Sequence, residues 1–123
     1  MQIEENHTPH ADNITGYENG NIEINGQAYR QPLFLSPQGI GHIPQSQPQE
    51  LDAAAFLTAC EGQEQPEVIL VGTGAQHIFL HPKITAELAA QGIGLESMST
   101  AAACRTYMVL QSEGRRVWAW LWP

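Results

Sequence analysis

The residues with the types and spacing to do chemistry gather in the second half of this chain. Val71-Gly72-Thr73-Gly74 closes a short apolar run, residues 67–71, of the kind a buried strand makes. A glycine loop at the carboxyl end of such a strand can turn backbone amides toward a phosphate. What a nucleotide site adds is missing. No Lys-Ser/Thr follows, the third glycine of the dinucleotide fingerprint is absent, and residues 75–80 read as extended rather than helical. The plainer reading is that the glycines permit a tight turn against another backbone.

A second candidate lies at Ser99-Thr100-Ala101-Ala102-Ala103-Cys104-Arg105, where a helix opens directly off a strand. Ser99 or Thr100 suits the N-cap, but neither Ala102 nor Ala103 can complete a capping box. Amides left open there could hold an anion, with the helix dipole adding about 0.3–1 kcal/mol; an ordinary capped helix is the plainer alternative. Gly72, Thr73, Gly74, Ser99, Thr100 and Arg105 together make the candidate ligand or anion cleft.

Cys104 sits one turn into that helix beside Arg105, which could favour a thiolate, yet no Cys-x-x-Cys or sequence-adjacent histidine accompanies it. A small buried filler is the simpler role. His77 and His81 have metal-ligand spacing only on a helix, and Ile78-Phe79-Leu80 followed by Pro82 argues against one. There is no Gly-x-Ser-x-Gly elbow, and Asp12 and Asp52 are poorly placed for a triad. No catalytic residue, metal site or cofactor is therefore assigned. Enzymatic activity is left open, with these missing groups weighing against it.

The elements that would position these residues read as strand, helix, strand, helix, strand from residue 67 onward. Pro82 suits the first turn of a helix whose Ile84 and Leu88 share a face and whose stop is Gly92. The helix after Ser99 carries a core stripe of Ala103, Tyr107 and Leu110. Ala101, Cys104, Arg105 and Met108 form a second, semi-apolar stripe, which suits contact with a neighbouring element or with a partner protein. In Val117-Trp118-Ala119-Trp120-Leu121-Trp122 the tryptophans fall on one face and the aliphatic residues on the other, as in a strand buried between layers. Trp120 or Trp122 reaching the rim would anchor a partner; packing under a helix is the alternative.

Upstream, residues 1–12 lack periodicity and read as a flexible tail. Two Asn-Gly pairs, Asn19-Gly20 and Asn25-Gly26, predict a three-stranded antiparallel meander. Its third strand should span residues 28–35, with Pro32 placing it at an edge. Residues 36–50 read as a loop with one extended piece at 41–43. Ser46 and Gln49 resemble a capping box before a helix with Leu51, Ala54, Ala55 and Thr58 on one face, ending near Gly62. The expected architecture is a single α/β domain over residues 13–123, three-layered, with a mixed central sheet and an N-terminal antiparallel β-meander.

A chain of 123 residues can bury a core without metal or disulfide support. Its net charge of -8, from 13 acidic and 5 basic residues, repels phosphate backbones and anionic headgroups, so nucleic acid and membrane surfaces are poor partners. No apolar run is long enough to span a bilayer. Two cysteines and an acidic N-terminus without signal or transit character point to a cytoplasmic protein.

Four segments taken in order resemble a known family: Ile14-Thr15-Gly16-Tyr17, Leu70-Val71-Gly72-Thr73-Gly74, Gly92-Ile93-Gly94-Leu95-Glu96-Ser97-Met98, and Ser99 through Tyr107. It is the uncharacterised domain family that includes a mitochondrial NADH dehydrogenase (complex I) assembly factor and an adipogenesis-associated protein. The resemblance covers residues 13–122 and implies a three-layer α/β fold without established enzymatic activity. It also implies Asn where this chain has Met108 and often Asp where it has Ser99, so a polar family site would be altered here. The expected function is thus a non-enzymatic protein-interaction or assembly factor, respiratory-complex assembly being the analogy. Cys104, Met108, Trp120 and Trp122 are the candidate partner-binding residues. The alternative is a small-molecule or anion binder, or an enzyme, using the cleft between the glycine loop and the helix start.

Overall fold

The computed structural model describes residues 13–18 and 20–123. The predicted tail and Asn19 lie outside those residues. Strands β1 (Ile14–Glu18), β2 (Asn21–Ile24) and β3 (Gln27–Tyr29) form an antiparallel sheet in that order. Asn25 and Gly26, at φ 51° and 84°, supply the two left-handed positions that a tight hairpin between β2 and β3 requires.

The predicted third strand is in fact two. Pro32 has no N–H to give a ladder, and the chain leaves the small sheet before it. Strand β4 (Leu33–Ser36) then joins a different sheet, pairing with β5 (Gly39–His42), which starts two residues earlier than expected. This second sheet has the order β5-β4-β8-β6-β7, with β6 (Val68–Thr73), β7 (Gly94–Met98) and β8 (Val117–Trp122). Strand β6 runs parallel to β7 and β8, while β4 is antiparallel to β8, so the sheet is mixed, as expected.

Three helices complete the chain: α1 (Ala53–Cys60), α2 (Pro82–Ala89) and α3 (Thr100–Ser112). Helix α1 begins later than its predicted box because Ser46 is held elsewhere. Its amide and hydroxyl both donate to the Glu50 carboxylate, at 3.2 and 3.1 Å, around the 3-10 turn Pro48–Glu50. Asp52 is the true N-cap, accepting from the Ala55 N–H at 3.0 Å. The buried stripe is consequently Ala53, Phe56 and Cys60, and the predicted Ala54 and Thr58 are exposed. Helix α2 buries Ile84 and Leu88 as expected.

The five-stranded sheet divides the core in two. On one side, Trp118, Trp120 and Trp122 pack with Phe56 of α1 and with Ile84 and Leu88 of α2. On the other, Val117, Ala119 and Leu121 pack with Ala103 and Tyr107 of α3 and with Ile22 and Ile24 of the small sheet. All six residues of both β6 and β8 are buried, as central strands covered on both faces must be. The result is the expected three layers: two helices, the mixed sheet, then α3 beside the antiparallel sheet.

This layering corrects one expectation. Trp120 and Trp122 do not reach the rim; they are 3% and 5% exposed. Trp120 stacks on Phe34 at 4.7 Å between ring centres and meets Phe56 at 5.0 Å. The Trp122 indole N–H donates to the Gln45 carbonyl at 3.3 Å, the partner that a buried indole needs.

Candidate functional site

The glycine turn and the start of α3 do meet, but they close on each other. Gly72 and Thr73 lie inside β6, and the turn begins at Gly74, where φ is 96°. A Cβ on Gly72 would come within 3.0 Å of the Thr100 Cα, the Thr100 Oγ1 and the Leu121 Cδ2, so only glycine fits that contact. The Thr100 hydroxyl accepts from the Gly74 N–H at 2.7 Å and donates to the Trp122 carbonyl at 2.5 Å. The Thr100 N–H donates to the Gly74 carbonyl at 2.8 Å. The Thr73 hydroxyl faces the carbonyls of Gln76 and Met98, at 2.6 and 3.1 Å, and accepts from the Ile78 N–H at 3.0 Å. Ser99 caps α3 by accepting from the Ala102 N–H at 3.3 Å.

These bonds change the sense of the predicted cleft. The hydroxyls offered as ligand donors, and the amides of Thr100 and Ala102, already have protein partners. What the sequence marks as a binding cleft is a latch joining the carboxyl ends of β6 and β8 to the start of α3. Its predicted charged member, Arg105, lies on a different surface.

That surface is a groove of about 520 Å³ between α3 and β1. Its helical wall is Ala101, Cys104, Arg105, Met108 and Val109, which contains the whole of the predicted second stripe. Its other wall is the first four residues of β1, Ile14 to Tyr17. Cys104 is buried in the floor, Met108 is half-buried, and Val109 is 54% exposed. No acidic side chain lines the groove, and Arg105 is exposed, with no ion pair or hydrogen bond among the described residues. Met108 spans the two walls: its Sδ accepts the Ile14 N–H at 3.3 Å.

The setting of Cys104 disfavours a thiolate. Burial pushes its thiol up to about 11, against a smaller opposing pull from Arg105, so it stays protonated at neutral pH. Both cysteines are free and buried. Among the described residues, no group of three His, Cys, Asp or Glu side chains could hold a metal ion, and no helix is long and apolar enough to cross a membrane.

Residues 14–122 match a family described as a protein of unknown function, DUF498/DUF598. The chain belongs to that family. An uncharacterised protein of Rhodobacter capsulatus is 40% identical over 111 residues, which is 89% of this chain and 83% of that one. NADH dehydrogenase [ubiquinone] 1 alpha subcomplex assembly factor 3 of Rattus norvegicus is 29% identical over 123 residues, covering 100% of this chain and 66% of that protein. The chain thus spans just under two-thirds of that assembly factor. The crystal structure of a Bordetella parapertussis protein superposes with a TM-score of 0.85 at 36% identity, covering 95% of this chain and 99% of that one. The expected family and its mixed α/β architecture are both shown.

Sequence reasoning found the helical wall of the groove but missed its strand wall. The contact between Ile14 and Met108 joins positions 94 residues apart, beyond any local pattern. Val109 did leave a signal, an apolar residue off the core stripe of α3.

Proposed function

We propose that this chain is a non-enzymatic interaction protein that binds another protein through the groove between α3 and β1. One observation carries the reading: Val109, Met108 and Arg105 line an open surface, while the polar groups of the competing cleft bind one another. A half-exposed apolar wall beside a cation that has no partner among the described residues suits a protein contact. The assembly-factor relative supports a role in building a larger complex, which for this chain is analogy. Two buried free thiols fit a reducing compartment, and we assign the protein to the cytoplasm on that basis.

The reading is tested by isolating the tagged full chain from its own cells beside a Val109→Glu variant. The expected result is a stoichiometric protein partner that crosslinks to α3 or β1 and is lost from the variant. A partner retained by the variant and crosslinked elsewhere contradicts it.

A further inference from the structure

We propose that Asn25 is a gated modification site: it is protected from deamidation while the hairpin between β2 and β3 is closed, and is converted to aspartate or isoaspartate when the small sheet opens. The site does not depend on the interaction reading above. Asn25 and Gly26 are both exposed, so water reaches the pair.

The chemistry is intramolecular. The Gly26 backbone nitrogen, having lost its proton to solvent base, attacks the carbonyl carbon of the Asn25 side chain. A carbon–nitrogen bond forms there, and ammonia leaves with a proton taken from solvent. Water then adds to either carbonyl of the cyclic imide and opens it. One cleavage gives aspartate; the other gives isoaspartate, in which the main chain runs through the side-chain carbons. Glycine in the following position leaves the attacking nitrogen unshielded, because it has no Cβ.

Turn type decides whether the two atoms can meet. Attack needs the Gly26 nitrogen on the same side of the Asn25 Cα as its Cβ, which requires a ψ of about −120°, as at the first central residue of a type II′ turn. Here φ is positive at both Asn25 and Gly26, at 51° and 84°, in a two-residue loop closed by the Ile24–Gln27 pair. That is the type I′ pattern, whose first central ψ is about +30°. The Gly26 nitrogen is then anti to the Asn25 Cβ, and the turn must flip before any bond forms.

The start of the small sheet holds the turn in this form. The Asn25 N–H donates to the Asn13 carbonyl at 2.9 Å, and the Asn13 N–H donates to the Asn25 Oδ1 at 3.0 Å. The Gly26 N–H donates to the Thr15 hydroxyl at 3.1 Å, which itself donates to the Glu23 carboxylate at 2.8 Å. Nucleophile and electrophile are thus tied to different residues. The Asn13 contact polarises the side-chain carbonyl, which taken alone favours attack, but that has no effect while the nitrogen faces away. Isoaspartate makes an opening permanent. Aspartate followed by glycine still suits a type I′ turn, whereas an added main-chain atom does not fit a two-residue loop, and the register that buries Ile22 and Ile24 is lost.

The test holds the full chain and a blocked tetrapeptide of residues 24–27 in the same mildly alkaline buffer and follows the amide-to-acid mass change at Asn25. Peptide mapping separates it from the other Asn-Gly pair, Asn19-Gly20. The full chain should convert at least about tenfold more slowly than the tetrapeptide, the scale of the hydrogen bonds that must break. Thr15→Val removes the Gly26 acceptor and keeps a β-branched residue in the strand, and should convert several-fold faster than the unaltered chain. Equal rates for chain and tetrapeptide, or no change in a folded Thr15→Val variant, would overturn the gate. If that variant does not fold, amide exchange in the unaltered chain decides: a Gly26 N–H exchanging as freely as in the tetrapeptide overturns it. The isoaspartyl chain, separated from the aspartyl one, should lose amide protection in β2 while the aspartyl chain keeps it. Protection retained in both would show that the opening is not made permanent.

Discussion

The two faces of the five-stranded sheet are built from the same strands and end differently. On the α1 and α2 side, β8 presents three tryptophans, and Phe34 and Phe56 close against Trp120. On the α3 side, β8 presents Val117, Ala119 and Leu121, and a single helix shares the layer with a small antiparallel sheet. Large rings fill the core of the first face, although depressions of about 360 Å³ beside Phe34 and Trp120 and about 520 Å³ between α1 and α2 remain on that side. The second face is covered by two unlike elements side by side, and the seam between them is the groove. On the proposed reading stability and recognition fall on opposite sides of one sheet, and substitutions should separate them.

The largest effect belongs to the tryptophan side. Trp120→Ala should cost about 3–5 kcal/mol, read as a fall in the urea midpoint, because it removes a ring stacked on one aromatic and tilted on another. A loss well under 1 kcal/mol would show that this face is not the stabilising one. Thr100→Val should come next, at about 2–4 kcal/mol, since it leaves the Gly74 N–H and the Trp122 carbonyl without their partner. Thr100→Ser should recover most of that loss in the same unfolding experiment; equal losses for Val and Ser would mean that the hydroxyl is not what holds the latch.

Groove substitutions should behave in the opposite way. Arg105 and Val109 are exposed, so Arg105→Glu and Val109→Glu should change stability by no more than about 0.5 kcal/mol while abolishing partner capture. A large fall in melting temperature for either would erase the separation. The smallest effect is expected far from both, at Glu67. The Arg115 guanidinium bonded to it at 2.9 Å holds its carboxyl below the usual carboxylate range. A carboxylate depressed in the folded state stabilises above its unfolded pKa, and that contribution fades as pH falls through the folded value. Glu67→Gln should therefore slightly lower stability at neutral pH, leave the most acidic pH unchanged, and so flatten the acid limb between them. A change confined to alkaline pH would contradict the assignment.

The same division explains what could be read from the residues. Strand β8 was legible because strict alternation sorts tryptophan from aliphatic, and α2 because Pro82 and Gly92 bound it. The depth of Trp120 was not legible, since a two-faced apolar strand does not say which element covers it. Ser46 misled in a similar way: its capping pattern is real, but Glu50 takes it for the preceding turn and Asp52 begins the helix. At the glycine turn, residue types correctly predicted proximity to the start of α3. They could not tell a donor awaiting a ligand from one already bonded across 26 positions, as the Gly74 N–H is to Thr100. The groove was half legible, through α3 alone.

The measurement that tests the central claim most directly is native mass spectrometry of the full chain gently isolated from its own cells, beside the Val109→Glu variant. The interaction account predicts a protein-sized mass addition on the unaltered chain that disappears in the variant, with both chains equally folded. A small stoichiometric adduct in place of a protein, or a protein addition that survives Val109→Glu, would contradict it.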